Sequence, residues 1–268
     1  MCAAARVKKK IMTKKAVRGV TSVDDELFVL LHQDDNQVAV YSINDYQLLR
    51  HLNVPGFKGD TDNDMTSCVR HKCLYMSEFE DSCIHRYDLA SSAISKWSVP
   101  GKPRCLSVTL SCNLLVVCYS DPSKLLELSA DSGQCVREII PLSDITYLWH
   151  GVELTAGQYV LCNGHPNNKI HRVRVLDDDG SVTYSYGGEP GSNVGQFNRP
   201  RHLAVDKDSQ FVFVADFGND RVVLFSPTLK FVRYVIEEVN FPGRLYLHEA
   251  TRRLFVGQWH GNVTVVQL

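Results

Sequence analysis

At 268 residues, 44% apolar and 22% charged with a formal net charge of -1, the chain has a globular composition and too little charge for whole-surface polyanion binding. No run of some eighteen apolar residues occurs, and the N-terminal MCAAARVKKKIMTKK has no signal-peptide core, so neither a membrane span nor a secretory address is expected. The nine cysteines are an odd number without paired CxxC spacing. They are expected as reduced core thiols of a cytoplasmic protein.

Arg6 to Met12, RVKKKIM, comes first and reads as a strand with no sequence neighbour to pair with. A unit of apolar strand, polar tight loop and second strand then repeats: ELFVLLHQDDNQVAVY, CLYMSEFEDSCIHRY, LLVVCYSDPSKLLEL, QYVLCNGHPNNKIHRVRV, FVFVADFGNDRVVLF and RLFVGQWHGNVTVV. The units are anchored at Leu27, Leu74, Leu115, Tyr159, Val212 and Leu254. Their spacing of roughly 41 to 53 residues is that of four-stranded propeller blades. Turn residues follow the second strands, at Asn44-Asp45, Asp131-Ser132-Gly133, Asp177 to Gly180 and Ser226-Pro227. Further β-rich runs come next, and Pro-Gly pairs such as Pro55-Gly56, Pro100-Gly101 and Pro242-Gly243 separate units, because Gly and Pro interrupt ladders.

These elements predict one all-β domain over residues 1–268, a six-bladed β-propeller of four-stranded antiparallel blades. The sixth unit stops at Leu268 after its third strand. Arg6 to Met12 is therefore expected to supply its outer strand and close the ring, removing an exposed edge. The basic residues of segment 1–15, Arg6, Lys8, Lys9, Lys10, Lys14 and Lys15, suit a solvated edge strand and tail.

Unit five reads GSNVGQFNRPRHLAVDKDSQFVFVADFGNDRVVLF. With Gly195, Phe197, Pro200, Leu203, Ala204, Val205, Asp206, Val214, Ala215, Asp216, Asn219, Arg221 and Val222, it resembles the NHL repeat. Unit three retains Pro103, Leu106 and Val108, and unit six Pro242 and Leu245. The wording is similar to the C-terminal propeller of TRIM-NHL proteins. That resemblance implies a recognition scaffold, such as the substrate-recognition part of a ubiquitin-ligase system, with single-stranded RNA as a ligand of some relatives. No RING or B-box cysteine/histidine pattern precedes the repeats, so ligase activity is not assigned to this chain. Asp216 and Arg221 are expected to bond across their own tight loop, a structural role.

A meander brings two kinds of loop to one face: those leading into each first strand and those joining the second and third. The first kind supplies Arg18, Arg104, Trp149, His150, Arg201, His202 and Arg244, the second His32, Phe79, His165, Phe217, Trp259 and His260. The expected ligand-binding face comprises Arg104, Trp149, His150, Arg201, His202, Phe217, Arg244, Trp259 and His260, since arginines and aromatics anchor interfaces. A protein partner is the first expectation. The alternative is single-stranded RNA, with arginines on phosphates and Trp149, Phe217 or Trp259 stacking bases. A metal-dependent lactonase or lyase is the third. The first-strand positions read mainly Arg, Cys, Trp/His and Met, which do not build a calcium cage; zinc would need His150, His202 and His260 to converge. No GxSxG elbow occurs, and Asp177 to Gly180 reads as a hairpin turn. No catalytic residue, metal or cofactor is assigned, and a monomer is expected.

Overall fold

The second strands of the repeating units are largely apolar without alternation. Leu27 to Leu30 and Leu114 to Cys118 are buried at every position, as strands covered on both faces must be. Outer strands such as Leu48–Asn53 and Ile94–Ser98 are mostly exposed.

The computed structural model describes residues 5–32, 37–59, 62–142, 145–167 and 169–268; the first polar loop, 33–36, and Cys2 lie outside them. Six four-stranded antiparallel sheets result. Blade 1 is a meander of Val17–Val23, Glu26–Leu31, Gln37–Ser42 and Leu48–Asn53. The other inner strands are Met65–Cys68, Lys102–Val108, Leu148–Thr155, Pro200–Val205 and Pro242–His248. Each packs on the next and the sixth on the first, so the blades form a closed ring around an axial channel. The anticipated closing strand is present: Arg6–Ile11 pairs antiparallel with Val263–Gln267, Ile11 opposite Val263. Ile11 is buried there while Lys8, Lys9 and Lys10 face solvent.

The core is divided among the wedges between blades. One cluster joins Ala204, Phe213 and Val222 of blade 5 to Leu245, Leu254 and Val266 of blade 6. Another joins Phe255 and Val263 of blade 6 to Val17, Val20 and Leu27 of blade 1. The eight described cysteines are free, six of them buried, in keeping with core thiols. Among the described residues, no helix is long and apolar enough to cross a membrane.

Candidate functional site

Five inner strands begin with a bulge. Pairing with the second strand skips one residue: Arg18, Arg104, Trp149, Arg201 and Gly243. The next residue in each case is Gly19, Cys105, His150, His202 or Arg244, and blade 2 presents Asp64 just before its inner strand. A side chain at Gly19 has no room, since a Cβ would lie 2.5 Å from that of Met65. Asp64, His150, His202 and Arg244 meet in a buried ring. Arg244 Nε lies 3.0 Å from Asp64 Oδ1, and His202 Nε2 lies 3.6 Å from Oδ2. The two imidazoles stack at 3.7 Å.

These side chains also satisfy backbone groups at the inner edge of each blade, where no ladder partner exists. Leu106 N–H donates to Asp64 Oδ2 at 2.9 Å, Leu203 N–H to His150 Nδ1 and Leu245 N–H to His202 Nδ1, both at 3.3 Å. Arg244 donates to the carbonyls of Arg18, Gly243 and Asn63. Burial opposes the Asp64 charge, but Arg244, His202 and His150 outweigh it and hold the carboxyl well below its usual range. Burial, with His202 beside it, keeps His150 well below the ordinary imidazole value, and burial lowers His202 as well.

Asp64, His150 and His202 stand close enough to share a cation, but their bonding does not fit one. Each Nδ1 already accepts a backbone N–H, so each ring carries its proton on Nε2, and His150 donates that proton to Leu106 O at 3.3 Å. No lone pair is left for a metal, and the Arg244 charge occupies the carboxylate. The convergence considered for zinc fails too: His260 is exposed and meets Phe241 edge-on at 5.0 Å instead. His150, His202 and Arg244, expected on the binding face, lie inside the channel. The skipped residue turns the next one inward, which also makes Asp64, not Met65, the ring member of blade 2.

The bulge residues form the rim. Arg201 lies 4.6 Å over Trp149, 3.9 Å over Phe217 and 4.7 Å over Trp259. Arg104 lies 4.4 Å over Trp149 and 4.7 Å over Tyr119, and Arg18 is 3.4 Å over Trp259. Arginines and aromatics thus interleave around the channel mouth, as the sequence predicts for Arg104, Trp149, Arg201, Phe217 and Trp259. Trp149 and Phe217 are buried, and the Trp149 indole N–H donates to Gly164 O at 2.9 Å. Tyr119 and Tyr147, at 38% and 36% exposure, extend the girdle to His165, which stacks on Tyr147 at 4.6 Å. Sequence reasoning missed both tyrosines; each lies beside a loop that it did weigh.

Charge on the rim is unevenly matched. Among the described residues Arg104 has one carboxylate, Asp62, at 3.5 Å. Arg201 has no ion pair or hydrogen bond among the described residues, and its Nε is buried without an acceptor. Burial, then Arg244 and Arg199, bring its pKa down to about 10. His165 is lowered by burial, then by Arg104 and Arg201, so the excess positive field extends across the mouth.

Asp216 and Arg221 are structural, as expected. Arg221 Nε donates to Asp216 Oδ2 at 2.8 Å, and Asn219 and the Asn198 N–H complete the shell. Asp177 to Gly180 is a turn closed by Gly180 N–H to Asp177 O. At the other end the channel opens as a funnel of about 550 Å³, floored by His150 and His202. Four of its hydroxyls pair with each other: Thr21 with Ser67 and Ser22 with Tyr246, both at 2.6 Å.

No family model matches the chain. Among solved structures it is similar to Kuenenia stuttgartiensis hydrazine synthase, at a TM-score of 0.69 and 13% identity, over 94% of this chain and 83% of that one. The protein is a β-propeller. At that identity the likeness extends to the fold alone.

Proposed function

We propose that this propeller is a non-catalytic recognition module, related to NHL propellers through its fifth blade, whose arginine rim takes an acidic segment of a protein partner. The observation that carries this reading is Arg201: a desolvated guanidinium beside Arg244 and Arg199, with Asp62 acting on it only from a distance and no ion pair or hydrogen bond among the described residues. A carboxylate arriving from a partner supplies the missing charge and the missing acceptor. Tyr119 beside Arg104, with Tyr147 next to it, gives the composition of an interface anchor. A place in a TRIM-like assembly accords with the same blade-five spelling.

RNA is the weaker reading. Two of the three rings expected to stack bases, Trp149 and Phe217, are buried, and Arg18 covers the third, Trp259. The lysines of Arg6–Ile11 sit on the outer edge of blade 6, not at the channel mouth.

The test is to offer the purified chain a randomised peptide pool and a randomised single-stranded RNA pool in parallel. Enrichment of Asp- and Glu-containing peptides, weakened by salt and lost in Arg201→Gln, is expected. Enrichment of an RNA motif without acidic peptides would overturn the reading.

A further inference from the structure

Blade 2 carries a second packed set of ionisable side chains, apart from the ring and the rim arginines. Its middle hairpin joins Cys73–Glu78 to Cys83–Asp88 and pairs Glu78 directly with Cys83. Two residues along, His85 projects from the same face as Cys83, because side chains alternate along a strand. Register alone therefore gathers a carboxylate, a thiol and an imidazole, each 1% exposed.

The carboxylate is already aimed. Glu78 Oε1 accepts the Lys58 N–H at 2.7 Å, leaving Oε2 facing His85 Nε2 at 2.7 Å and Cys83 Sγ at 3.4 Å. Sγ and Nε2 are 3.7 Å apart. Around a tetrahedral zinc ion with bonds of about 2.0 to 2.3 Å, such atoms stand about 3.3 to 3.5 Å from each other. The two separations involving sulfur are within a few tenths of an ångström of this. The short one, between Oε2 and Nε2, is held by a proton that an ion would replace.

His85 differs from the ring imidazoles on the point that excluded them. Its Nδ1 is buried and accepts nothing, so moving the ring proton from Nε2 to Nδ1 gives up only the Glu78 bond that the ion replaces and frees a lone pair for a metal. The remaining side of the cluster is filled by Lys96 of the outer strand Ile94–Ser98, whose Nζ lies 3.6 Å from Glu78 Oε2. That side chain is half exposed and also reaches Asp81 Oδ2 at 3.5 Å, a partner nearer the surface that it keeps when it leaves Glu78.

We infer that Glu78, Cys83 and His85 form a site for one divalent cation of the zinc class, reached through the position now held by the Lys96 ammonium. Binding releases the thiol proton and converts Cys83 to a thiolate ligand.

Metal-stripped full-length protein should be titrated with Co²⁺ and then Zn²⁺ at mildly alkaline pH under reducing conditions. One equivalent of Co²⁺ is expected to develop a thiolate charge-transfer band that Zn²⁺ abolishes. The band should vanish in Cys83→Ser and survive in Cys68→Ser, which removes the separate Cys68–His71 contact of 3.2 Å. Lys96→Met, a change at a half-exposed position that leaves the core intact, should tighten Co²⁺ about tenfold by removing the competing charge. Absence of the band in the unaltered protein, its persistence in Cys83→Ser, or unchanged affinity in Lys96→Met would overturn the site.

Discussion

Arg244 and Arg201 stand on adjacent inner strands, one residue apart in blade register, and their surroundings are opposite. Arg244 spends its donors on Asp64 and on three carbonyls. Arg201 lies against ring faces and has no hydrogen bond or ion pair among the described residues. A guanidinium neutralised and bonded on every side is part of the fold; one desolvated and unmatched retains a capacity that the fold does not use. The difference comes from the bulge, which sends one residue to the rim and the next to the axis.

The largest effect should follow from breaking the matched side. Asp64→Ala leaves Arg244 buried without its counter-ion and Leu106 N–H without its acceptor, and should cost about 3 to 5 kcal/mol in urea unfolding. The Arg201→Ala change removes no such partner. If both changes cost the same, the contrast between ring and rim is void.

Why the sequence disclosed the fold better than the ring follows from the same geometry. Strand, loop and turn chemistry is local and repeats in each unit, so six blades and the closing segment, Arg6 to Met12, could be read directly, with the strand itself ending at Ile11. Asp64, by contrast, is one residue out of step with the apolar anchors, and only the skipped residue in the neighbouring strands makes it equivalent to His150 and His202. The pairing of Asp64 with Arg244 spans about two thirds of the chain and leaves no local pattern. The rim was partly legible because Trp149, Arg201, Phe217 and Trp259 are conspicuous residue types at turns. Their mutual burial was not, since it depends on how neighbouring blades lean together.

A second effect separates the two regions by pH. His150 and His202 are held neutral in the folded ring below the ordinary imidazole value, whereas in the unfolded chain they take up protons below about 6.5. The unfolded state then binds more protons, so stability falls as pH drops through that value. The slope is at most about 1.4 kcal/mol per pH unit for each imidazole. Asp64, lowered in the folded state, adds to the loss only further down, beginning near the unfolded carboxylate value of about 4. Unfolding midpoints between pH 7.5 and 5 should therefore decline, and His150→Gln should reduce the slope. A flat profile for the unaltered protein would mean that the ring imidazoles are protonated in place.

The smallest effect concerns the unmatched side and has the opposite sign. Replacing Arg201 by Met keeps the apolar stem against Trp149 and Phe217 and removes a charge that burial and Arg244 both oppose. The variant should be more stable by about 1 kcal/mol while losing affinity for acidic peptides, the trade expected where a site is kept for binding at the expense of the fold. Thermal unfolding and peptide binding measured on one preparation decide it. Lower stability with binding intact would make Arg201 a packing residue like Arg244, and the rim would then be an extension of the ring.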